Sequence, residues 1–173
     1  VWDKLQTVGI VPSEPAADHT FLRRVYLDVI GKVPTPDEAR AFLASTSPVK
    51  REELIDSLLA RPEYSDYWAN KWVDLLRPNP YRVGIKPTIA LDAWVRQAYR
   101  ENRPYDQFVR DLLTAQGSAW RNGAATLFRD RRSPDEITTV VSQLFLGIRL
   151  ECAKCHHHPF EKYSQEDYYG LAA

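Results

Sequence analysis

The 173-residue chain has no methionine, only two cysteines, only seven glycines and no net charge. Each shortage excludes something. Without methionine, no thioether side chain is available to ligate a metal. Few glycines and no persistent apolar–polar alternation argue against a strand-rich fold. Lys+Arg and Asp+Glu both number 23, so the basic excess of a nucleic-acid binder is missing. No apolar run reaches the ~18–20 residues of a membrane-spanning helix. No signal peptide is visible, but the chain begins at Val1, which leaves room for a leader ahead of it. What is present is enough to bury a core. Of all residues 44% are hydrophobic and 12% aromatic, over a length that fits one domain or two small ones.

Helix starts recur with one signature. Thr35-Pro36-Asp37-Glu38 and Ser133-Pro134-Asp135-Glu136 each place a hydroxyl at N-cap, proline at N1 and glutamate at N3. That is a capping box with the N1 residue best suited to it. Ser47-Pro48 repeats the first half, and Ser164-Gln165-Glu166-Asp167 is a version with Asp for Glu. Together with the apolar spacing, these signals predict an all-α fold of about seven to nine helices around a site near the C-terminus. Helices are expected over about 1–9, 18–30, 36–44, 48–60, 62–76 and 88–101, with others opening near Pro104, Pro134 and Ser164. In the second of these Phe21, Leu22, Val25, Tyr26, Val29 and Ile30 form the inward stripe, and in the fourth Leu54, Ile55, Leu58 and Leu59 do. Residues 77–87 hold three prolines and a glycine and are expected to form a loop, the hinge of a single domain spanning 1–173. Residues 116–132 are expected to be irregular, with Arg129-Asp130-Arg131-Arg132 as solvated surface. The helix from Pro134, with Ile137, Val140, Val141, Leu144, Phe145 and Ile148 inward, is expected to run straight to Glu151.

There it meets Cys152-Ala153-Lys154-Cys155-His156, followed by His157-His158-Pro159-Phe160. This stretch uses both cysteines and three of the four histidines. Cys-x-x-Cys-His is the attachment pattern of a c-type haem. Each thiol adds across one porphyrin vinyl, and the spacing sets the sulfurs at the separation of the two vinyls. The next residue then supplies an axial imidazole. Other readings of the same residues are a redox dithiol, a structural zinc site and a plain disulfide or free thiols. The dithiol belongs at the end of a strand in a βαβ unit. A closed zinc site needs four ligands. A haem reading also implies export, because haem c is attached outside the cytoplasm.

Several blocks carry a family resemblance. They are Phe21-Leu22-Arg23-Arg24-Val25-Tyr26-Leu27-Asp28, Gly31-Lys32-Val33-Pro34-Thr35, Trp72-Val73-Asp74-Leu75-Leu76, Pro104-Tyr105-Asp106-Gln107-Phe108-Val109, Cys152 to Phe160 and Asp167-Tyr168-Tyr169-Gly170-Leu171. Through them the chain resembles the planctomycete-specific cytochrome-like domain family, also filed as a domain of unknown function. The resemblance implies a haem c module of a large, exported (periplasmic or cell-surface) multidomain protein. Carried over by position, it makes Cys152 and Cys155 the thioether anchors and His156 the proximal iron ligand. His158 and Phe160 match the family pattern, and His157 sits at its variable position.

The second axial ligand is less constrained. The Cα atoms of two histidines on opposite haem faces are on the order of 12 Å apart, whereas two residues of extended chain reach only about 7 Å. His158 therefore cannot pair with His156 on one iron. It fits a supporting role, bonding a propionate, a backbone carbonyl or the edge of the proximal site, or it simply fixes the loop. His19 is the only histidine elsewhere, either the distal ligand or a surface or capping residue, and a lysine, a tyrosine hydroxyl, water or nothing could equally occupy the sixth position. A His/Met cytochrome is ruled out. The expected function is one-electron transfer to a redox partner. The alternatives are an open-site haem with peroxidase-like or small-ligand chemistry, and a zinc-stabilised interaction module without haem.

Overall fold

The structure is a computed structural model that describes all 173 residues, Val1–Ala173. It holds eleven α-helices and no strand. Contacts divide the chain into two compact units, Val1–Tyr67 and Trp68–Ala173.

The first unit contains α1 (Trp2–Thr7), α2 (Asp18–Ile30), α3 (Pro36–Ala44), α4 (Lys50–Leu59) and the start of α5 (Pro62–Leu76). Its core takes Leu22, Val25, Tyr26 and Ile30 from the predicted stripe of α2, with Phe42 and Leu58, while Phe21 and Val29 of the same stripe are only partly buried against it. Leu59, expected inward, is instead half exposed. The spacing of Leu54, Ile55 and Leu58 already spans the inward arc of a short helix. The α2 helix stops at Gly31, whose left-handed φ of 69° suits a residue without a Cβ. A Cβ there would also run into the Tyr67 ring.

Charged side chains tie these helices together. Asp18 accepts from Lys50 at 2.7 Å and from Arg51 at 2.7 Å, linking the start of α4 to that of α2. The Thr35 box forms in full. Glu38 donates its N–H to Thr35 Oγ1, while its carboxylate accepts the Thr35 N–H at 2.7 Å. The other carboxylate oxygen accepts from Arg61 at 2.7 Å, and Arg61 also reaches Glu63 at 2.8 Å.

The second unit contains the rest of α5, then α6 (Pro80–Val83), α7 (Ile85–Arg100), α8 (Tyr105–Leu113), α9 (Thr126–Asp130), α10 (Pro134–Val141) and α11 (Gln165–Ala172). Leu76, Leu91, Val95, Phe108, Leu112 and Leu127 are central to its core. Trp72 sits at the edge of that core, against Phe108 and stacked on Phe145 at 5.9 Å.

Four expectations fail in this unit. Residues 77–87 are not a plain loop, because Asn79 caps a short α6 by accepting from the Tyr81 N–H. Residues 116–132 hold a 3-10 turn, Gly123–Ala125, and α9, and their Ala124, Thr126, Leu127 and Asp130 are buried. The Arg129–Arg132 run is not all solvated. Asp130 is 2% exposed and pairs with Arg131, whose guanidinium also donates to the Leu76 carbonyl at 2.9 Å. The reason is close packing. Gly123 lies so near the Ala90 carbonyl that a Cβ would overlap it. Finally, α10 does not run to Glu151. It ends at Val141 in a π-turn, Ser142–Leu146, closed by Gly147 with φ 68°.

Two outcomes test this packing. Gly123→Ala should cost about 1–3 kcal/mol, read as a lower urea midpoint. Glu38 has its carboxyl held down to about 2, chiefly by the Thr35 N–H, then by the Thr35 hydroxyl and Arg61. A depressed folded value gives stability that is present above the ordinary carboxylate range and lost as pH falls from about 4.5 towards about 2. Glu38→Gln should therefore lower stability by about 1 kcal/mol at pH 7, and the gap from the parent should close by pH 2. An unchanged gap at pH 2 would contradict that role.

Candidate functional site

The Cys-x-x-Cys-His stretch is reached through the π-turn. The Ile148 N–H donates back to the Ser142 carbonyl at 3.1 Å, which turns the chain out of α10. Residues Glu151–Lys154 then form a 3-10 turn. Such a turn has three residues per revolution, so side chains at i and i+3 eclipse. Cys152 lies in this turn and Cys155 caps its end, three residues on. Ala153 is fully buried beside Leu150 and Tyr168. With that inward anchor, both thiols face solvent, and both are free.

His156 is exposed as well. Its Nδ1 lies 2.6 Å from the His157 carbonyl. A ring nitrogen that close to a carbonyl carries the proton and donates it. Nε2 has no partner within the chain. A hydrogen bond from the far ring nitrogen is also what orients a metal-binding imidazole.

His158 is used in another way. Its Nδ1 accepts the Phe160 and Glu161 N–H groups at 3.3 and 3.0 Å. That leaves Nε2–H to donate to the Arg149 carbonyl at 3.1 Å. Its own N–H donates to the Tyr163 carbonyl at 2.8 Å. Both ring nitrogens are thus spent on closing the loop that follows the motif. His157 Nδ1 accepts the Gln165 N–H at 3.3 Å, at the start of α11. His19 lies in the first unit, exposed in the first turn of α2.

The turn is held from outside by residues whose spacing along the chain assigns them no role at the site. Asp135, in the first turn of α10, accepts from Lys154 at 2.6 Å and from the Tyr168 hydroxyl at 2.9 Å. Tyr168 is 1% exposed, and burial, with the Asp135 carboxylate second, pushes its hydroxyl up to about 12. Asp135 is held below the usual carboxylate range, first by Lys154 and then by Tyr168. The Lys154 carbonyl accepts from Gln165 Nε2 at 2.9 Å and from the Tyr169 hydroxyl at 3.3 Å. The available sequence signals were the capping residues, Asp167 at N3 and the acid at position 135. The full Ser164–Asp167 box forms, whereas Glu136 turns its carboxylate to the Arg132 N–H and to Arg82 instead of its own N-cap N–H.

Two thiols and one imidazole nitrogen are what this motif contributes to a covalently attached haem, and all three are accessible here. The donor set fits that group. The four donors of a structural zinc are not assembled, because no three His, Cys, Asp or Glu side chains converge to hold a metal ion.

The fold and site define an all-helical protein with an outward-facing Cys-x-x-Cys-His turn. Residues 1–173 match the PSCyt2 family, described as a protein of unknown function (DUF1549), and the chain belongs to it. Neither a curated protein nor a solved structure matches the chain.

The role of His158 as the clasp of the loop has a direct readout. His158→Ala should speed amide exchange at Phe160 and Glu161 by roughly tenfold, for the loss of about one hydrogen bond at each. Global stability should change by less than about 1 kcal/mol, since the bonds are exposed. Unaltered exchange at both amides would remove His158 from that role.

Proposed function

We propose that the chain is a c-type haem domain that carries electrons one at a time. Cys152 and Cys155 are the thioether anchors and His156 Nε2 is the proximal ligand. The observation that supports this most is the arrangement at the turn. Two free, exposed thiols stand in and just after a 3-10 turn, beside an imidazole whose Nε2 has no partner within the chain. Bound there, the haem would supply one-electron redox chemistry. The chain's own residues do the rest. The His157 carbonyl sets the ring orientation and basicity of His156. His158 closes the loop, and the buried Ala153 keeps the turn in place. Leu146 and Phe160, on either side of the turn in sequence, are 56% and 91% exposed. Apolar side chains left in water at that level suit cover by a flat apolar group.

The wider setting follows from this reading. Attachment of haem c outside the cytoplasm makes the protein exported, to the periplasm or cell surface. The resemblance to a planctomycete-specific cytochrome-like family makes it a module of a longer polypeptide, with a separate redox partner. Without methionine, the potential should lie below the His/Met range.

A second reading has its own support. All histidines of the Trp68–Ala173 unit are His156, His157 and His158, and the chain has no methionine. That unit therefore offers neither common sixth ligand beyond the motif. His19 is the histidine candidate for the sixth ligand of a six-coordinate carrier; a lysine, a tyrosine hydroxyl or water could equally serve, and an open position would admit small ligands. Co-expression with a cytochrome c maturation system should yield a coloured protein heavier by one haem. Cys152→Ser with Cys155→Ser should abolish the attachment. A colourless protein at the mass of the bare chain would end the haem reading. Carbon monoxide added to the reduced protein separates the two forms. An immediate spectral change marks the open site, and an unchanged spectrum marks the six-coordinate carrier.

A further inference from the structure

A concavity of about 530 Å³ lies in the segment that joins α8 to α9. That is within the range of about 300–1,000 Å³ typical of small-molecule sites. Its floor is made of the small side chains Ala115, Ala119 and Ala125, and its walls include Trp120, Phe128 and Arg129. Trp120 is 64% exposed and Phe128 38%, although α9 itself is well packed. The loop carrying Trp120 is fixed by its own hydrogen bonds. The Trp120 N–H donates to Ser118 Oγ at 3.3 Å, and Asn122 Nδ2 donates to the Gln116 carbonyl at 3.2 Å. Gly117, with φ 91°, provides the turn that these bonds close. A wall held before the ligand arrives lowers the entropic cost of binding.

The charge of the segment is one-sided. No acid occurs between Asp111 and Asp130, and the Asp130 carboxylate is buried against Arg131. Lys86 places its ammonium 5.1 Å from the centre of the Trp120 ring. In the Arg129–Arg132 run, Arg131 and Arg132 both donate to backbone carbonyls. The Arg129 side chain has no hydrogen bond or ion pair, and it lines the cavity. A guanidinium without a protein anion, beside two aromatic walls, is a recognition pattern. A planar guanidinium takes a carboxylate through paired N–H donors. Aromatic faces take a flat ring.

We infer that this pocket binds a small aromatic carboxylate, with its ring against Trp120 and Phe128 and its carboxylate on Arg129. A neutral ring would leave the guanidinium unused, and an inorganic anion would leave the aromatic walls bare. The inference does not depend on haem attachment, since the pocket is built from residues 115–129.

Naphthalene-2-carboxylate, followed through the indole N–H resonances of the five tryptophans, is a suitable probe. Trp120→Phe assigns the Trp120 signal. The expected result is a saturable shift of that signal, with a Kd on the order of 0.1–1 mM for so open a site. Arg129→Gln should weaken carboxylate binding by about tenfold or more. It should leave binding of the neutral carboxamide analogue unchanged, and Arg121→Gln should affect neither. Arg129 is exposed and unpaired, so its variant should fold like the parent, which the unperturbed indole spectrum checks. Absence of a saturable Trp120 shift up to about 10 mM overturns the site. Equal binding of carboxylate and carboxamide, or indifference to Arg129→Gln, overturns the assignment of the ligand class.

Discussion

The Asp135 carboxylate holds the end of this chain in one piece. One oxygen takes the Tyr168 hydroxyl from α11, and the other takes the Lys154 ammonium from the Cys-x-x-Cys-His turn. Asp135 stands in the first turn of α10, where unpaired N–H groups and the helix dipole favour a negative charge. The carboxylate therefore stays ionised between two donors, and three elements distant in sequence meet at it. The small cluster of Leu150, Ala153 and Tyr168 closes beneath. Burying Ala153 in that cluster turns its neighbours Cys152 and Cys155 to the outside.

The rest of the site follows from which groups are already occupied. His158 has both ring nitrogens engaged with backbone and so closes the loop. His157 meets the first turn of α11. His156 spends only Nδ1, and its remaining nitrogen is the one imidazole nitrogen a haem iron needs on its proximal side. Three adjacent histidines thus have three different functions, set by the partner each ring finds. The same accounting marks Arg129, a cation that finds no partner beside two exposed aromatic walls.

Much of the architecture was legible along the chain. The α2 stripe, Gly31 as its stop and the Thr35 box all formed as their residues indicate. Apart from Leu59, which is half exposed, the expectations that failed lie mainly in the Trp68–Ala173 unit. Asn79 and Pro80 start a helix inside a proline-rich segment, because the first helical N–H needs no intrahelical partner. Residues 123–130 look polar and irregular, yet they pack against α7 and bury an ion pair. Glu136, placed for a box with Ser133, is drawn away by Arg82 and the Arg132 N–H. In each case a partner more than a few residues away, or a local cap weaker than it looked, decided the outcome.

By itself the sequence determined the helical class, most helix starts, the absence of a methionine ligand and the Cys-x-x-Cys-His spacing. These rest on contacts within about four residues, which every copy of the pattern makes in the same way. The tertiary structure alone decided that α10 breaks in a π-turn before the motif, that both thiols face outward, and that His156 keeps its Nε2 free while His158 spends both ring nitrogens. Those outcomes depend on Ala153 finding a core, on Lys154 and Tyr168 finding Asp135, and on His158 finding Arg149 and the 160–161 backbone. Such pairings lie 2 to 33 residues apart. No periodicity in the chain encodes them, because they exist only once the helices have packed.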